Sequence, residues 1–218
     1  MKVSKYIFIA TAVLLASCSN TRYLKEGEAL YTGSKINIIG DSLSKTQIAK
    51  LKSSLESQMV PRPNKSIFGL RPKLLIYNIA PETKKDKGFK YWLKYKVGEK
   101  PVLLKNVDID FMRSIIDNYT ENQGYFNVSS NYQIDSINKR AEVIYNVQPK
   151  NQYKIGKVVF NNNDSHLTEA IVKTANKSLL KVGAPFNLDV IKDERIRIDS
   201  DLKEKGYYYF NPDDILVQ

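Results

Sequence analysis

RSIIDNYTENQGY (residues 113–125) and RIRIDSDLKEKGY (residues 195–207) decide the fold. Set at an offset of 82, they place Arg113 on Arg195, Ile116 on Ile198, Asp117 on Asp199, Gly124 on Gly206 and Tyr125 on Tyr207. Upstream, Lys96-Val97-Gly98 resembles Lys181-Val182-Gly183 with a shift of three from that offset, and Pro101 and Pro185 follow each. Self-similarity at a fixed spacing marks a repeated supersecondary unit. Gly after an amphipathic helix takes the left-handed position that ends it, and the aromatic after it packs beneath the helices. Arg113, Asp117, Gly124, Tyr125, Arg195, Asp199, Gly206 and Tyr207 are therefore structural signatures of the repeat, not members of a site.

Working outward, each unit reads strand, helix, helix, Gly-Tyr, strand, strand. In the first copy Lys35–Ile39 alternates, with Ile36 and Ile38 on one face, as a strand does. Ser44-Lys45-Thr46-Gln47 fits a capping box, with Ile48, Leu51 and Leu55 following at helical spacing. The helix over 108–123 puts Phe111, Ile115, Ile116 and Tyr119 on one side. Val128, Tyr132 and Ile134, then Ala141, Val143, Tyr145 and Val147, form a β-hairpin linked by Asp135–Lys139. In the second copy Tyr153–Phe160 is a predicted strand, helices follow to about Lys181 and over 188–205, and a strand begins at 213–217. The predicted fold class is α+β: tandem β-α-α-β-β repeats over 34–150 and 151–218, each with helices on one face of a small three-stranded sheet, the second cut short before its last strand.

The stretch 58–96 interrupts the first copy. Pro61, Pro63, Pro72 and Pro81 prevent one long helix. Ten basic residues, including Arg62, Lys65, Arg71, Lys90 and Lys94, face only Glu82 and Asp86, a net of +8, and Trp92 is the sole Trp among six interleaved aromatics. Aromatics among lysines suit a membrane interface or a partner contact. A solvated basic loop with its rings packed on the first repeat fits equally.

The N-terminus carries an address. Lys2 and Lys5 precede the apolar run Tyr6–Leu15, and Leu15-Ala16-Ser17-Cys18 ends it, so residues 1–17 read as a secretory signal with Cys18 as a lipidation site. Residues 18–33 lack periodicity and read as a tether, whose sixteen residues would reach about 50 Å at most. Ser19 and the absence of an acidic run point to the outer membrane, periplasmic side. The 218 residues carry 34 basic and 23 acidic side chains, a net of +11. Two charges leave with the signal, and eight of the remaining nine lie in 58–96.

The order of elements, with Gly124-Tyr125-Phe126 before the second strand, resembles the POTRA domain of Omp85-superfamily proteins such as BamA and TamA. Tyr23–Glu28, Pro63-Asn64-Lys65, Trp92-Leu93 and Gly98–Pro101 are similar to TamL lipoproteins of Bacteroidetes-type bacteria. That resemblance implies a C-terminal outer-membrane barrel that these 218 residues do not contain, so a fragment or truncated product is expected. It also implies unfolded outer-membrane clients, a TamB-like inner-membrane protein and an Omp85 barrel as partners. In POTRA-like domains the second strand is the edge, here Val128, Ser130, Tyr132 and Ile134, where a client strand would add.

One Cys and one His, His166, exclude a disulfide framework and His-cluster metal sites. No nucleophile elbow, P-loop or zincin motif occurs, so the expectation is a binding module: no enzyme, no cofactor, no metal. Export argues against nucleic acid as partner. The competing classes are a surface-exposed adhesin or glycan-binding lipoprotein and, less favoured, an exported hydrolase.

Overall fold

The computed structural model describes residues 20–40, 43–160 and 165–217. The signal, Cys18 and Ser19 lie outside the described residues. The elements are β1 (Leu30–Ile38), α1 (Lys45–Gln58), α2 (Pro72–Ile79), α3 (Phe89–Trp92, continued by a π-turn over Leu93–Val97), α4 (Ile109–Asn122), β2 (Ser129–Ile137), β3 (Arg140–Gln148), α5 (His166–Val172) and α6 (Leu188–Glu204). The fold is α+β, with one three-stranded sheet ordered β1-β3-β2 among the described residues.

Two compact units form. One runs up to Asn37 and takes in Lys52–Ile115 and Ser130–Asn146; the other takes in Ile38–Leu51, Ile116–Ser129 and the chain from Val147 on. The expected break at 150/151 falls inside the second unit.

Local chemistry explains the elements. The α1 capping box forms as expected: the Gln47 amide donates to the Ser44 hydroxyl at 3.3 Å, and the Ser44 amide donates to Gln47 Oε1 at 3.0 Å. Asp108 caps α4 by accepting from the Phe111 amide at 3.0 Å. The buried stripe of α4 is Met112, Ile116 and Thr120, rotated from the predicted face; Phe111 is exposed. Thr120 fits the apolar stripe because its hydroxyl donates to the Ile116 carbonyl at 2.7 Å.

β3 is the centre of the sheet. Ala141, Val143, Tyr145 and Val147 are fully buried on one face, as their alternation predicts. The Tyr145 hydroxyl donates to the Ile109 carbonyl at 3.4 Å, which sets the start of α4 beside that face. Burial, and then the nearby Tyr31, Tyr132, Asp110 and Asp108, raise the Tyr145 phenol, so it stays a donor at any physiological pH. The hairpin link is shorter than expected. β2 continues to Ile137, and Asn138 and Lys139 make the turn with φ of 53° and 59°. The left-handed Lys139 is held from both ends: its ammonium donates to the Leu24 carbonyl at 3.0 Å, and its carbonyl accepts from the Leu30 amide at 2.8 Å.

Four sequence expectations are corrected. Residues 20–33 are not a tether throughout. Asn20–Tyr23 is a 3-10 turn, β1 starts at Leu30, and Leu24 and Leu30 are buried with Leu74 against Leu103. Two isolated apolar anchors, Leu24 and Leu30, tie this segment to that cluster, too few to show a period. Residues 153–160 are not a strand: the only bridge there joins Lys154 to Pro185, and a strand needs a ladder. Residues 213–217 likewise form no strand; Pro212–Asp214 is a 3-10 turn closed by an Asn211 capping box. The second copy therefore shows no three-stranded sheet among the described residues. The helix expected to about Lys181 ends as α5 at Val172 and gives way to a 3-10 turn at Ala175–Lys177.

Within the second unit, Ala170, Ile198 and Leu202 form a core that Phe160, Leu167, Ile171, Tyr207, Phe210 and Ile215 cover. This small core is supplemented by a charged network. Glu194 lies on the buried face of α6 with Ile198 and Leu202. It accepts from the Leu179 amide at 2.8 Å and from Arg197 at 2.8 and 3.0 Å, while Arg197 also reaches Asp201 at 2.8 Å.

Candidate functional site: the open edge of the sheet

The repeat signature folds alike in both copies. The Tyr125 and Tyr207 amides bond back to the Thr120 and Leu202 carbonyls, and the Gly124 and Gly206 amides to those of Glu121 and Lys203. This is the same Schellman closure twice, at the offset read in the sequence. Gly124 and Gly206 have φ of 89° and 96°, as their predicted role requires. Tyr125 is buried and Tyr207 packs on the second core. The charged positions are less alike. Arg195 holds the Pro212 carbonyl at 2.8 Å and Asp213 at 3.4 Å, whereas Arg113 has a 3.8 Å contact with Asp110 on its own helix. Asp199 pairs with Lys203 at 2.8 Å, and in both Asp117 and Asp199 the Oδ1 is buried without a hydrogen-bond partner.

The geometry of β2 makes it an edge strand. Asn131 lies opposite Asn146, whose side-chain amide donates to it at 3.1 Å, and the Tyr132 and Tyr145 rings meet edge-on at 6.2 Å. Beside a two-residue turn, the flanking pair Ile137 and Arg140 is hydrogen-bonded, so alternate residues of β2 face β3. The N–H and C=O groups of Ser130, Tyr132, Ile134 and Ser136 consequently point away from the sheet. No backbone bond leads from them to another segment among the described residues. The opposite edge is different: at the start of β1 the Tyr31 amide donates to the Val102 carbonyl at 2.8 Å, and the Leu104 amide to the Ala29 carbonyl at 2.9 Å. The β1 edge is thus paired at its start, over Ala29–Tyr31, while the β2 edge has no such pairing among the described residues.

Side chains reinforce the asymmetry. Tyr132 and Ile134 share a face with the buried row of β3 but remain 37% and 45% exposed. Ser130 Oγ is buried without a partner. Of the four edge residues predicted, Ser130, Tyr132 and Ile134 lie on β2. Val128 does not: it precedes the strand, and its amide is used by the Tyr125 carbonyl at 3.2 Å.

The basic insertion is folded, and its predicted contact residues do not form one patch. Asn64 ties it down, donating to the Lys100 carbonyl at 2.8 Å and accepting from the Val102 amide at 2.9 Å. Arg62 and Lys65 line a cavity of about 760 Å³ with Lys73 and Lys96, opposite Glu56, Glu99 and Glu142. Arg71 lines another, of about 710 Å³, together with Arg140. Burial first, and the Arg140 charge next, push the Arg71 guanidinium below its usual value. Lys90 and Trp92 are exposed on α3. Lys94 is corrected: it is 4% exposed, and its ammonium donates to the Tyr77 and Ala80 carbonyls at 3.2 and 3.1 Å, pairs with Glu82 at 3.0 Å and sits 4.6 Å from the Tyr77 ring centre. It satisfies the last carbonyls of α2 and has no charge to offer a partner. The Lys94 hydrogen bond, in turn, holds the Glu82 carboxyl below the ordinary carboxylate value.

No family model matches the sequence, and no curated protein matches it. Among solved structures it is similar to the crystal structure of Haemophilus influenzae BamA POTRA3-5, with 16% identity and a TM-score of 0.40, over 84% of this chain and 59% of that one. The chain thus spans less than two thirds of the length of that structure. No helix among the described residues is long and apolar enough to cross a membrane.

Proposed function

We propose that this chain is a scaffolding and client-binding module of POTRA type in an outer-membrane protein assembly or translocation system. It acts by adding an extended client segment to the outer edge of β2 and performs no catalysis. The observation that carries this reading is the free edge of β2: four amide and carbonyl pairs face outward with no backbone partner among the described residues. Main-chain pairing tolerates many client sequences, and the exposed Tyr132 and Ile134 favour clients with apolar alternation.

The finer reading is that of a TamL-like lipoprotein. Cys18 is lipidated, the module sits on the periplasmic side of the outer membrane, and its partners are unfolded outer-membrane proteins, an Omp85 barrel and a TamB-like protein. The lipobox-like Leu15–Cys18 and the duplicated Arg-x-x-Ile-Asp…Gly-Tyr signature support it.

Ile134→Pro tests the edge directly. Its N–H faces outward, so Pro removes a donor that the β2–β3 ladder does not use, and Pro is tolerated on that side of an edge strand. Binding of a ten-residue alternating peptide, followed by fluorescence anisotropy, is expected to weaken about tenfold, the equivalent of roughly 1.4 kcal/mol for one main-chain bond and its neighbours. The urea midpoint should change little. Unchanged peptide affinity would contradict pairing at this edge.

A further inference from the structure

The N-terminal end of α3 is built to present aromatic rings among lysines. The helix is clamped along one side. Lys94 is buried under α2, the Tyr95 ring meets the Tyr77 ring edge-on at 6.0 Å, and the Gly98 amide closes the π-turn on the Leu93 carbonyl at 2.9 Å. A Cβ at Gly98 would stand 2.9 Å from the Tyr77 backbone, so no larger residue could pack this closely. On the other side Phe89 and Trp92 are 72% and 51% exposed and stack on each other, with ring centres 5.8 Å apart at 29°. Phe89 is thus mostly, and Trp92 about half, in water, although each could bury about 150–250 Å² against a partner. Flanking them in sequence, Lys84, Lys85, Lys87, Lys90 and Lys96 are all exposed. Between Pro81 and Lys96 the carboxylates are Glu82 and Asp86, and Lys94 already engages Glu82.

We infer that the face formed by Phe89 and Trp92 with Lys84, Lys85, Lys87 and Lys90 docks on an anionic lipid surface. The inference is independent of the β2 edge. Two features select lipid over a folded acidic partner. The lysines ride on flexible stems, and the apolar component is a single stacked ring pair at a helix start, with no groove that would impose a register. Rings of this kind settle at headgroup depth while ammonium groups reach the phosphates. Each lysine near an anionic surface raises affinity about fivefold.

The sole Trp makes the test direct. The full chain is mixed with vesicles of phosphatidylcholine containing 30% phosphatidylglycerol, or of phosphatidylcholine alone, and Trp92 emission is recorded with and without brominated acyl chains. The expected result is a blue shift and bromine quenching on the anionic vesicles only, reversed by about 0.5 M salt. K84A/K85A/K87A/K90A should abolish both, and Phe89→Ala should weaken them about tenfold. All chains carry Cys18→Ser, so that no acyl anchor contributes to binding. These residues are exposed, and unchanged far-UV circular dichroism would verify that each variant folds. Emission that does not respond to anionic vesicles, or that responds equally in the quadruple variant, would overturn the inference. So would an equal response to soluble polyaspartate or single-stranded DNA, which would assign the face to another polyanion.

Discussion

Glu194→Ala is expected to destabilise the unit built on α6 by about 1–3 kcal/mol, because it leaves the Leu179 amide without its acceptor and takes away one of the two carboxylates that hold Arg197. The Glu194 carboxylate is buried on a helix whose apolar contribution is only Ile198 and Leu202 together with Ala170 of α5. It fixes the Leu179 amide, so the segment after Ala175–Lys177 loses its tie to α6, and Arg197 keeps only Asp201 and a 3.4 Å contact with Thr174. The same group sets an acid limit. Burial by itself would raise the Glu194 carboxyl, but hydrogen bonds from Arg197, the Leu179 amide and Ser178 outweigh it and hold it below its ordinary value. A carboxyl with a lowered value in the folded state contributes stability above its unfolded value, about pH 4.3, and loses it as pH falls through the folded value. Urea midpoints across pH 3–6 should therefore fall on acidification in the parent. In Glu194→Gln the midpoint should start lower and be less sensitive to pH.

The second large effect separates two glycines that look equivalent in sequence. Gly124→Ala and Gly206→Ala both place a Cβ at a left-handed φ, which costs about 1–2 kcal/mol. At Gly206 nothing lies within 4 Å of the new atom, so the cost stops there. At Gly124 the Cβ would stand 2.8 Å from the Phe186 carbonyl oxygen and 3.1 Å from Phe186 Cβ. Around this point the Tyr153 amide donates to the Gly124 carbonyl at 2.8 Å, Asn187 reaches Gln123 at 3.2 Å, and the Phe126 ring lies 5.2 and 4.8 Å from Tyr153 and Phe186. Backbone has to move to admit the methyl, adding about 1–3 kcal/mol. Calorimetry should show Gly124→Ala melting well below Gly206→Ala; equal losses would mean that only the dihedral matters.

What could be read from the sequence follows from how each signal arises. The Gly-Tyr closure was legible because a Schellman turn demands one backbone conformation, and Gly announces it. The β3 row was legible because a strand buried on one face alternates strictly. The stretch Ser130 to Ile134 is legible as strand β2 because the hairpin can be located from that alternation. The first anchors, Leu24 and Leu30, escaped because isolated apolar residues carry no period. Lys94 escaped because nothing local distinguishes a lysine that caps a neighbouring helix from one in water. Glu194 does carry a signal in the sequence: it shares the i, i+4, i+8 face of Ile198 and Leu202, where a carboxylate requires a partner, and Arg197 stands three residues on. The second sheet was overpredicted because alternation reports a strand's willingness to pair and not the presence of the partner.

The edge of β2 is tested most directly by residue-resolved amide exchange with and without a ten-residue alternating peptide. The outward amides of Ser130, Tyr132, Ile134 and Ser136 should slow when the peptide is bound, while the amides of the already paired β1 stay as they were. Protection that arises elsewhere, with these four amides exchanging as fast as in the free chain, would contradict strand addition at this edge.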